Sequence, residues 1–214
     1  KGSSTLSVLK PVESIFSNSE STNVPANGKY PVVIMVPGDK GQRNIWNIAT
    51  KEFLKRGFMV VQIELHVGEW FFATMNHTFD YLYSRSDVNL ANISLVGHSH
   101  GGHFSLLYAT LYPERINSLV CVNPGSVEDL YIDMSRVFHV LIDPNRSLRW
   151  SFTYPHLNSS VFYKFNFSSI LPNNLLIIAD KSDTFTHPNT LEFRNLLGLP
   201  PGNNATIRGS FLNG

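Results

Sequence analysis

The stretch 93–103 constrains this chain more than any other part of its sequence. The letters GHSHG at 97–101 fit the pattern G-x-S-x-G and place Ser99 at the centre. They follow ISLV at 93–96, an apolar and β-branched run that is typical of a buried strand. They precede FSLLYATLY at 104–112, a run with helical character that Pro113 ends. The sequence therefore predicts a strand, a sharp turn that carries the serine, and a helix.

The spacing of this motif has a chemical reason. A serine hydroxyl is a weak nucleophile and must stand clear of the backbone to reach both a base and a substrate carbonyl. A sharp turn achieves this but crowds its neighbours, and the glycines at 97 and 101 relieve the crowding. The start of the next helix directs N–H groups to the place where an oxyanion would form. The residues alone also allow an ordinary glycine-rich turn with an incidental serine.

Strand and helix patterns alternate along the rest of the chain. Apolar runs predict strands at 5–9, 32–36, 58–65, 116–122 and 175–179, with a final strand at 205–208. Helical periodicity covers 44–56, 69–84 and 189–197. This alternation predicts a single α/β domain over residues 1–214, with a mostly parallel sheet flanked by helices.

The first predicted helix has a definite apolar face and a definite end. Its periodicity places Ile45, Ile48, Ala49 and Phe53 on the side that faces the core. Gly57 follows as the residue that ends the helix.

Composition excludes some classes of protein. The net charge is +1 and no basic run occurs, which argues against a nucleic-acid partner. No apolar run approaches the length of a transmembrane helix. The single cysteine, Cys121, lies in an apolar run and is predicted to be buried. Six N-x-S/T sequons leave secretion open without establishing the compartment, and the one at Asn92 leads into the central strand and is predicted to stay unmodified.

Two segments carry a family resemblance. YPVVIMVPGDKGQRNIWNIATKEFLKRGFMVVQIEL at 30–65 and SLVGHSHGGHFSL at 94–106 resemble the α/β-hydrolase superfamily. They are most similar to its dienelactone hydrolase, cutinase-like polyesterase and platelet-activating-factor acetylhydrolase groups. The resemblance covers about residues 30–125 well and 175–210 loosely, by the order of the motifs. It implies the α/β-hydrolase fold.

The resemblance also implies site residues. Ser99 would be the nucleophile, and the backbone N–H groups of Asp39 and His100 would form the oxyanion hole. Relatives often carry an aromatic or apolar residue where this chain has Asp39, which bears on substrate preference. The spacing after the strand at 175–179 favours Asp183 over Asp180 as the catalytic acid. The alternative is that both acids simply end the strand and the loop.

The histidine base has no clear place in the chain. The family order is Ser, acid, His, and after Asp183 only His187 remains, four residues later. The usual place for the histidine, after one more helix and strand, would fall just beyond Gly214. We therefore expect that the chain lacks its last elements at the C-terminus. The other interpretation makes His187 a displaced base.

Two further features complete the predictions. Segment 128–174 is rich in aromatic residues and is predicted to be either a cap over an acyl substrate or a surface excursion. His98, His100 and His103 flank the serine, but their spacing across a strand–turn–helix junction does not direct all three at one point. No metal site and no cofactor are expected.

These predictions combine into a functional hypothesis. A serine hydrolase would cleave carboxylic esters of a small-molecule or lipid-like substrate through an acyl-enzyme. The alternative is a catalytically inactive binding protein with the same fold. A lyase or a peptidase on this fold also stays open, because fold does not determine reaction. The sequence does not define the oligomeric state.

Overall fold

A six-stranded sheet forms the centre of the protein in the computed structural model, which describes residues 5–11, 25, 27–38, 43–64, 71–125 and 175–178. The strands are β1 (Thr5–Leu9), β2 (Tyr30–Val36), β3 (Met59–Glu64), β4 (Val88–His98), β5 (Ser118–Val122) and β6 (Leu175–Ile178). Their order across the sheet is β1-β3-β2-β4-β5-β6. Neighbours run parallel from β3 to β6, and β1 pairs antiparallel with β3 at the edge. The predicted, mostly parallel sheet is confirmed.

Helices cover both faces of this sheet. They are α1 (Asn47–Lys55), α2 (Phe71–Tyr83) and α3 (His100–Leu111), with short 3₁₀ turns at Arg43–Trp46 and Pro113–Arg115. Side chains of α2 and α3, such as Phe79 and Tyr108, pack in one apolar cluster with alternate residues of the strands. The other residues of the strands pack with the segment 46–58 on the opposite face. The uninterrupted apolar run of β2 follows from this, since both of its faces are buried.

The face that α1 turns to the core differs from the prediction. Ile45 and Ile48 are 47% and 52% exposed, whereas Trp46 is 8% exposed. Ala49 and Phe53 do pack against the core, as predicted. The helical segment begins with a 3₁₀ turn at Arg43–Trp46 instead of an α-helical turn. A 3₁₀-helix has fewer residues per turn than an α-helix, so each side chain points in a different direction from the one that an ideal α-helix would give it. As a result, the indole of Trp46 faces the core and the side chains of Ile45 and Ile48 face solvent.

The end of α1 confirms the prediction for Gly57. This residue has a φ of +80°, which glycine adopts without strain. Its N–H donates to the carbonyl of Leu54 at 3.0 Å, and the N–H of Phe58 donates to that of Phe53 at 3.1 Å. The rings of Phe53 and Phe58 meet edge to face at 5.4 Å. This is a Schellman motif with its apolar contact, and it leads the chain directly into β3.

The strand order creates a crevice between β2 and β4. The chain leaves β2 through α1 on one face and leaves β4 through α3 on the other. Ligands of open α/β sheets bind at such a reversal, outside the carboxyl ends of the strands. The pairs Val36↔Gly97, His98↔Val122 and Val122↔Ile178 bring the ends of four strands to this same edge.

Several predictions fall outside the described residues. They concern segment 128–174, the helix at 189–197 and the strand at 205–208. Among the helices that the structure describes, none is long and apolar enough to cross a membrane.

Candidate active site at the β4–α3 turn

Ser99 lies at the sharp turn between β4 and α3. Its backbone has a φ of +53° and a ψ of −129°, a combination that costs a residue with a side chain roughly 1–3 kcal/mol. The surroundings hold it there. The N–H of Ser99 donates to the carbonyl of Val122 at 2.9 Å, and its own carbonyl accepts from the N–H of Gly102 at 2.8 Å. The predicted strand–turn–helix is therefore present, with the serine in a strained conformation.

The two glycines of the motif are required by close packing. A Cβ on Gly97 would lie 2.6 Å from the Oγ of Ser105 and closer still to the carbonyl of Gly101. A Cβ on Gly101 would lie 2.8 Å from the carbonyl of Val36 and closer still to that of Pro37. Real Cβ contacts are not this short. Gly97 thus lets the start of α3 pack onto β4, and Gly101 lets it pack onto the end of β2.

Gly38 brings the end of β2 against the serine. A Cβ at this position would be 3.1 Å from the Cβ of Ser99 and 3.4 Å from the Nδ1 of His98. Gly38, two residues after the end of β2, therefore lies close to the β4–α3 turn.

His100 is the first residue of α3. Its imidazole stacks on Phe104, with ring centroids 5.0 Å apart and an interplanar angle of 16°, and lies 5.7 Å from the ring of His103. The amide at the first position of a helix points out of its N-terminal end. The side chain of His100 therefore packs along α3, while its backbone N–H lies at the N-terminal end of the helix, next to Ser99.

Trp46 is a residue of this region that sequence reasoning missed. The indole is buried, and its ring meets that of His98 edge to face at 6.4 Å. The sequence did hold a signal, because Trp46 is the first aromatic residue after the loop that follows Gly38. Aromatic residues rarely lie beside a polar loop without a packing role.

Cys121 packs against the start of α3 and is not a candidate nucleophile. It pairs with Gly97 across β4 and β5, and its thiol contacts the carbonyl of Gly102 at 3.6 Å. Complete burial raises the pKa of the Cys121 thiol to about 12. Since the thiolate is the reactive form, this cysteine is unreactive at neutral pH. The prediction that it is buried is confirmed.

The structure brings some of the predicted site residues together and leaves others undescribed. Ser99 and His100 lie at the turn, with Gly38 beside them. Asp39, Asp180, Asp183 and His187 lie outside the described residues. The strand that precedes both aspartates, β6, ends at Ile178, whose carbonyl accepts from the N–H of Asn123 at 2.7 Å. Within the described ranges, no group of three or more His, Cys, Asp or Glu side chains could hold a metal ion.

Comparison with known proteins identifies the family. The sequence profile of the alpha/beta hydrolase fold matches residues 62–172, which include β4, the Ser99 turn and α3. The chain belongs to this family.

Individual relatives agree with this assignment. The chain is 25% identical over 208 residues to the abhydrolase domain-containing protein C22H12.03 of Schizosaccharomyces pombe, covering 94% of this chain and 74% of that protein. A stretch of 79 residues is 37% identical to the 1-acylglycerol-3-phosphate O-acyltransferase ICT1 of Saccharomyces cerevisiae, which is 37% of this chain and 18% of that protein. Among solved structures, the fluorophosphonate-binding serine hydrolase FphF of Staphylococcus aureus superposes with a TM-score of 0.58. It is 15% identical, and the match covers 90% of this chain and 79% of FphF.

Proposed function

We propose that this protein is a serine hydrolase that cleaves carboxylic esters, with Ser99 as the nucleophile. The observation that carries the proposal is the strained turn at Ser99, which costs free energy and is maintained by hydrogen bonds with Val122 and Gly102. Such a turn exposes a hydroxyl above the edge of a sheet. The contact of Gly38 with the same serine supports a site built from both β2 and β4.

The reaction follows from this arrangement. The Oγ of Ser99 attacks the ester carbonyl carbon and gives its proton to a base. The backbone N–H groups of Asp39 and His100 hold the negative charge that develops on the carbonyl oxygen. The C–O bond of the ester then breaks, and the base returns the proton to the leaving alcohol. Water repeats the same steps on the acyl-enzyme, releases the acid and restores the serine.

We propose Asp183 as the acid that orients the base. β6 is parallel to β5 and ends at the same edge of the sheet as β4. One strand, β5, lies between β6 and β4, so Ile178 is two strand spacings from the Ser99 turn, which is about 10 Å. An aspartate and a histidine together can bridge such a distance. The base is either His187 or a histidine later in the natural protein.

Acyl transfer is a second candidate, favoured by the 37% identity over 79 residues to the 1-acylglycerol-3-phosphate O-acyltransferase ICT1, a match to 18% of that protein. Only the last step differs, since the alcohol of a second lipid would attack the acyl-enzyme instead of water. The remaining candidate is a binding protein with this fold that performs no reaction.

Covalent labelling tests the proposal. The complete natural protein is treated with a fluorophosphonate, and the adduct is located by peptide mass spectrometry. We expect labelling at Ser99 that the variant Ser99→Ala abolishes. Ser105→Ala is the matched control, because it removes a buried hydroxyl from the same helix, and we expect it to label normally.

The candidates give different results. Release of free acid from a p-nitrophenyl ester, unchanged by added lysophospholipid, supports hydrolysis. A new acylated lipid supports transfer. A folded protein that is not labelled at Ser99 contradicts both hydrolysis and acyl transfer, and only the non-catalytic binding protein then remains as a candidate.

A further inference from the structure

Two isoleucines are exposed where the 3₁₀ turn at Arg43–Trp46 meets α1. Ile45 is 47% exposed and Ile48 is 52% exposed. They are three residues apart, a spacing that places both side chains on the same side of a helical segment. Single exposed apolar side chains are normal on a protein surface, but two neighbouring isoleucines form a patch.

Charged residues continue the side of α1 that Ile48 begins. Positions three, four, seven and eight after a residue share its face of an α-helix, and here they are Lys51, Glu52, Lys55 and Arg56. The other side of the helix packs against the sheet. Together with Ile45, these residues form the outer face of α1, which is apolar at its beginning and basic towards its end.

The outer face of α1 is more basic than the protein as a whole. It carries three of the 17 basic residues and one of the 16 acidic residues, so its charge of +2 exceeds the net charge of +1 of the chain. Glu52 accepts hydrogen bonds from Arg56 at 2.7 Å and from Lys55 at 3.3 Å. One carboxylate thus faces two cations, and the face retains an excess of positive charge.

From these observations we infer that the outer face of α1 docks on an anionic lipid bilayer. The helix would lie in the plane of the membrane surface, with its isoleucines among the headgroups and its basic side chains on the lipid phosphates and carboxylates. Apolar side chains combined with lysine and arginine are typical of helices that bind membranes in this way. The positive charge of the face complements the negative charge of such a bilayer.

The composition of this face fits a bilayer better than a protein partner. Interfaces between proteins are depleted in lysine and enriched in aromatic residues. Their binding energy usually depends on aromatic or arginine side chains that fill pockets of the partner. The outer face of α1 contains two lysines and no aromatic residue.

Docking at this face would place the edge of the sheet that carries Ser99 beside the bilayer. Trp46, which lies between the two isoleucines in the sequence, contacts His98, the residue before Ser99. Its indole is buried against the sheet, so the isoleucines beside it are held in a fixed position relative to this edge. The inference goes beyond the proposed function and does not depend on it, because a surface can bind lipid whether or not Ser99 reacts.

Both parts of the face should contribute measurably to binding. Each lysine or arginine near an anionic bilayer strengthens binding about fivefold. About half of each isoleucine side chain is exposed, and its burial corresponds to about threefold to tenfold for each residue. Salt weakens the first contribution and leaves the second nearly unchanged.

Flotation with lipid vesicles tests the inference. The complete natural protein is mixed with vesicles of phosphatidylcholine and phosphatidylserine, or of phosphatidylcholine alone, at low and at high salt. We expect stronger binding to the anionic vesicles. The double variant Ile45→Gln, Ile48→Gln should lower the partition coefficient roughly tenfold to a hundredfold. Lys51→Gln with Lys55→Gln should lower it roughly twentyfold and remove most of its salt dependence.

One further variant and two matched controls sharpen this test. Glu52→Gln removes the acidic residue of the face and should strengthen binding about fivefold. Leu90→Gln replaces a leucine that is 44% exposed near the start of β4, and Lys29→Gln replaces an exposed lysine just before β2. Both controls lie at the opposite edge of the sheet from Ser99, and we expect them to bind like the wild type.

Three results would overturn the inference. The first is a wild-type protein that does not bind the anionic vesicles. The second is binding that the isoleucine and lysine variants leave unchanged, or that the two controls lower equally. The third is a dimer that forms without lipid and is lost in the isoleucine variant, measured by sedimentation, because the face would then bind a second copy of the chain. Failure of Ser99 to react with a fluorophosphonate would remove the hydrolase proposal and leave these binding results unaffected.

Discussion

Ser99 and Asn123 are the two residues other than glycine that have a positive φ in the part of the chain that the structure describes. Asparagine tolerates the left-handed region because its side chain bonds locally, so Asn123, with a φ of +42°, needs no special explanation. The ψ of −129° at Ser99 lies outside that region. Hydrogen bonds with Val122 and Gly102 hold Ser99 in this strained conformation. Strained backbone conformations cluster at functional sites, which supports the proposed role of Ser99.

Two neighbouring glycines of α3, Gly101 and Gly102, allow a test of how closely this helix packs against the strands. In Gly101→Ala the new methyl group would meet the backbone carbonyls of Val36, at the end of β2, and of Pro37, which follows it. Neither carbonyl can move without displacing the end of the strand. We expect the free energy of unfolding to fall by about 2–4 kcal/mol, measured by urea denaturation.

Gly102→Ala is the matched control for that variant. Its nearest contacts would be 3.4 Å or longer, which is ordinary van der Waals distance. Alanine also favours a helix by about 1 kcal/mol over glycine, so we expect Gly102→Ala to be neutral or slightly stabilising. Equal losses in the two variants would contradict the packing argument.

The acid of the proposed triad is a second question at this scale. We expect Asp183→Asn to lower kcat by roughly a thousandfold or more, because a neutral amide no longer holds the base in the productive tautomer. Asp180→Asn should stay within about tenfold of wild type, since the spacing after the strand favours Asp183 as the acid. The reverse order of effects, measured on the same ester, would reassign the acid to Asp180.

At the scale of elements, one arginine joins three helical segments. Arg115, in the 3₁₀ turn after α3, donates to the hydroxyl of Tyr108 at 2.8 Å and to the Oδ1 of Asn76 in α2 at 3.0 Å. Its guanidinium also lies over the rings of Tyr112 and Phe79, at 4.5 and 5.6 Å. Burial raises the pKa of the Tyr108 hydroxyl to about 12, so this group stays neutral and can accept from the arginine.

Removal of this arginine should loosen α2 from α3. We expect Arg115→Ala to lower the free energy of unfolding by about 2–3 kcal/mol, because it removes the hydrogen bonds to Tyr108 and Asn76 and the contacts of the guanidinium with two aromatic rings. Arg56→Ala is the comparison, since its pair with Glu52 is exposed and one turn apart on α1, and it should cost about 0.5 kcal/mol or less. Similar unfolding midpoints for the two variants would refute this view of Arg115.

The elements also show what the sequence could and could not predict. The buried strands and the Ser99 turn were predictable because each depends on a local pattern of apolar residues or glycines. The face of α1 was not, because Ile45 and Ile48 have the right spacing and only the 3₁₀ start reverses their exposure. The contact between Trp46 and His98 was also hidden, since it joins residues 52 positions apart through the sheet.

At the scale of the whole molecule, Asp87 joins the first strand to the centre of the sheet. It lies just before β4, forms ion pairs with Arg85 and with Lys10 beyond β1, and its backbone carbonyl accepts from the N–H of Tyr30 at 2.8 Å. The hydrogen bonds from Arg85, followed by that from Lys10, lower the pKa of the Asp87 carboxyl to about 2. The carboxylate of Asp87 thus links residues that lie 77 positions apart in the sequence.

The pH dependence of stability follows from this pKa. The folded-state pKa lies below the ordinary value of 3.8, so the stabilisation is present above about pH 4 and is lost as pH falls towards 2. We expect Asp87→Asn to lower the free energy of unfolding by about 1–2 kcal/mol at pH 6 and by much less near pH 2. Thermal melts across this range measure the difference.

Glu52→Gln is the control for that experiment. The carboxyl of Glu52 also has a lowered pKa, through hydrogen bonds from Arg56 and Lys55, but it lies on the solvent-accessible surface of α1. Solvent and salt screen such a pair, so its loss should leave the shape of the pH profile unchanged. A parallel change in both variants would mean that overall charge, and not the Asp87 pairing, governs acid stability.

The bond from Ser99 to Val122 has a consequence for the time during which the chain is made. A ribosome releases residue 99 before residue 122, and the turn cannot adopt its strained form until β5 has joined β4. Under the proposed function, the nucleophile of a nascent chain therefore takes its final form only after β5 has paired with β4.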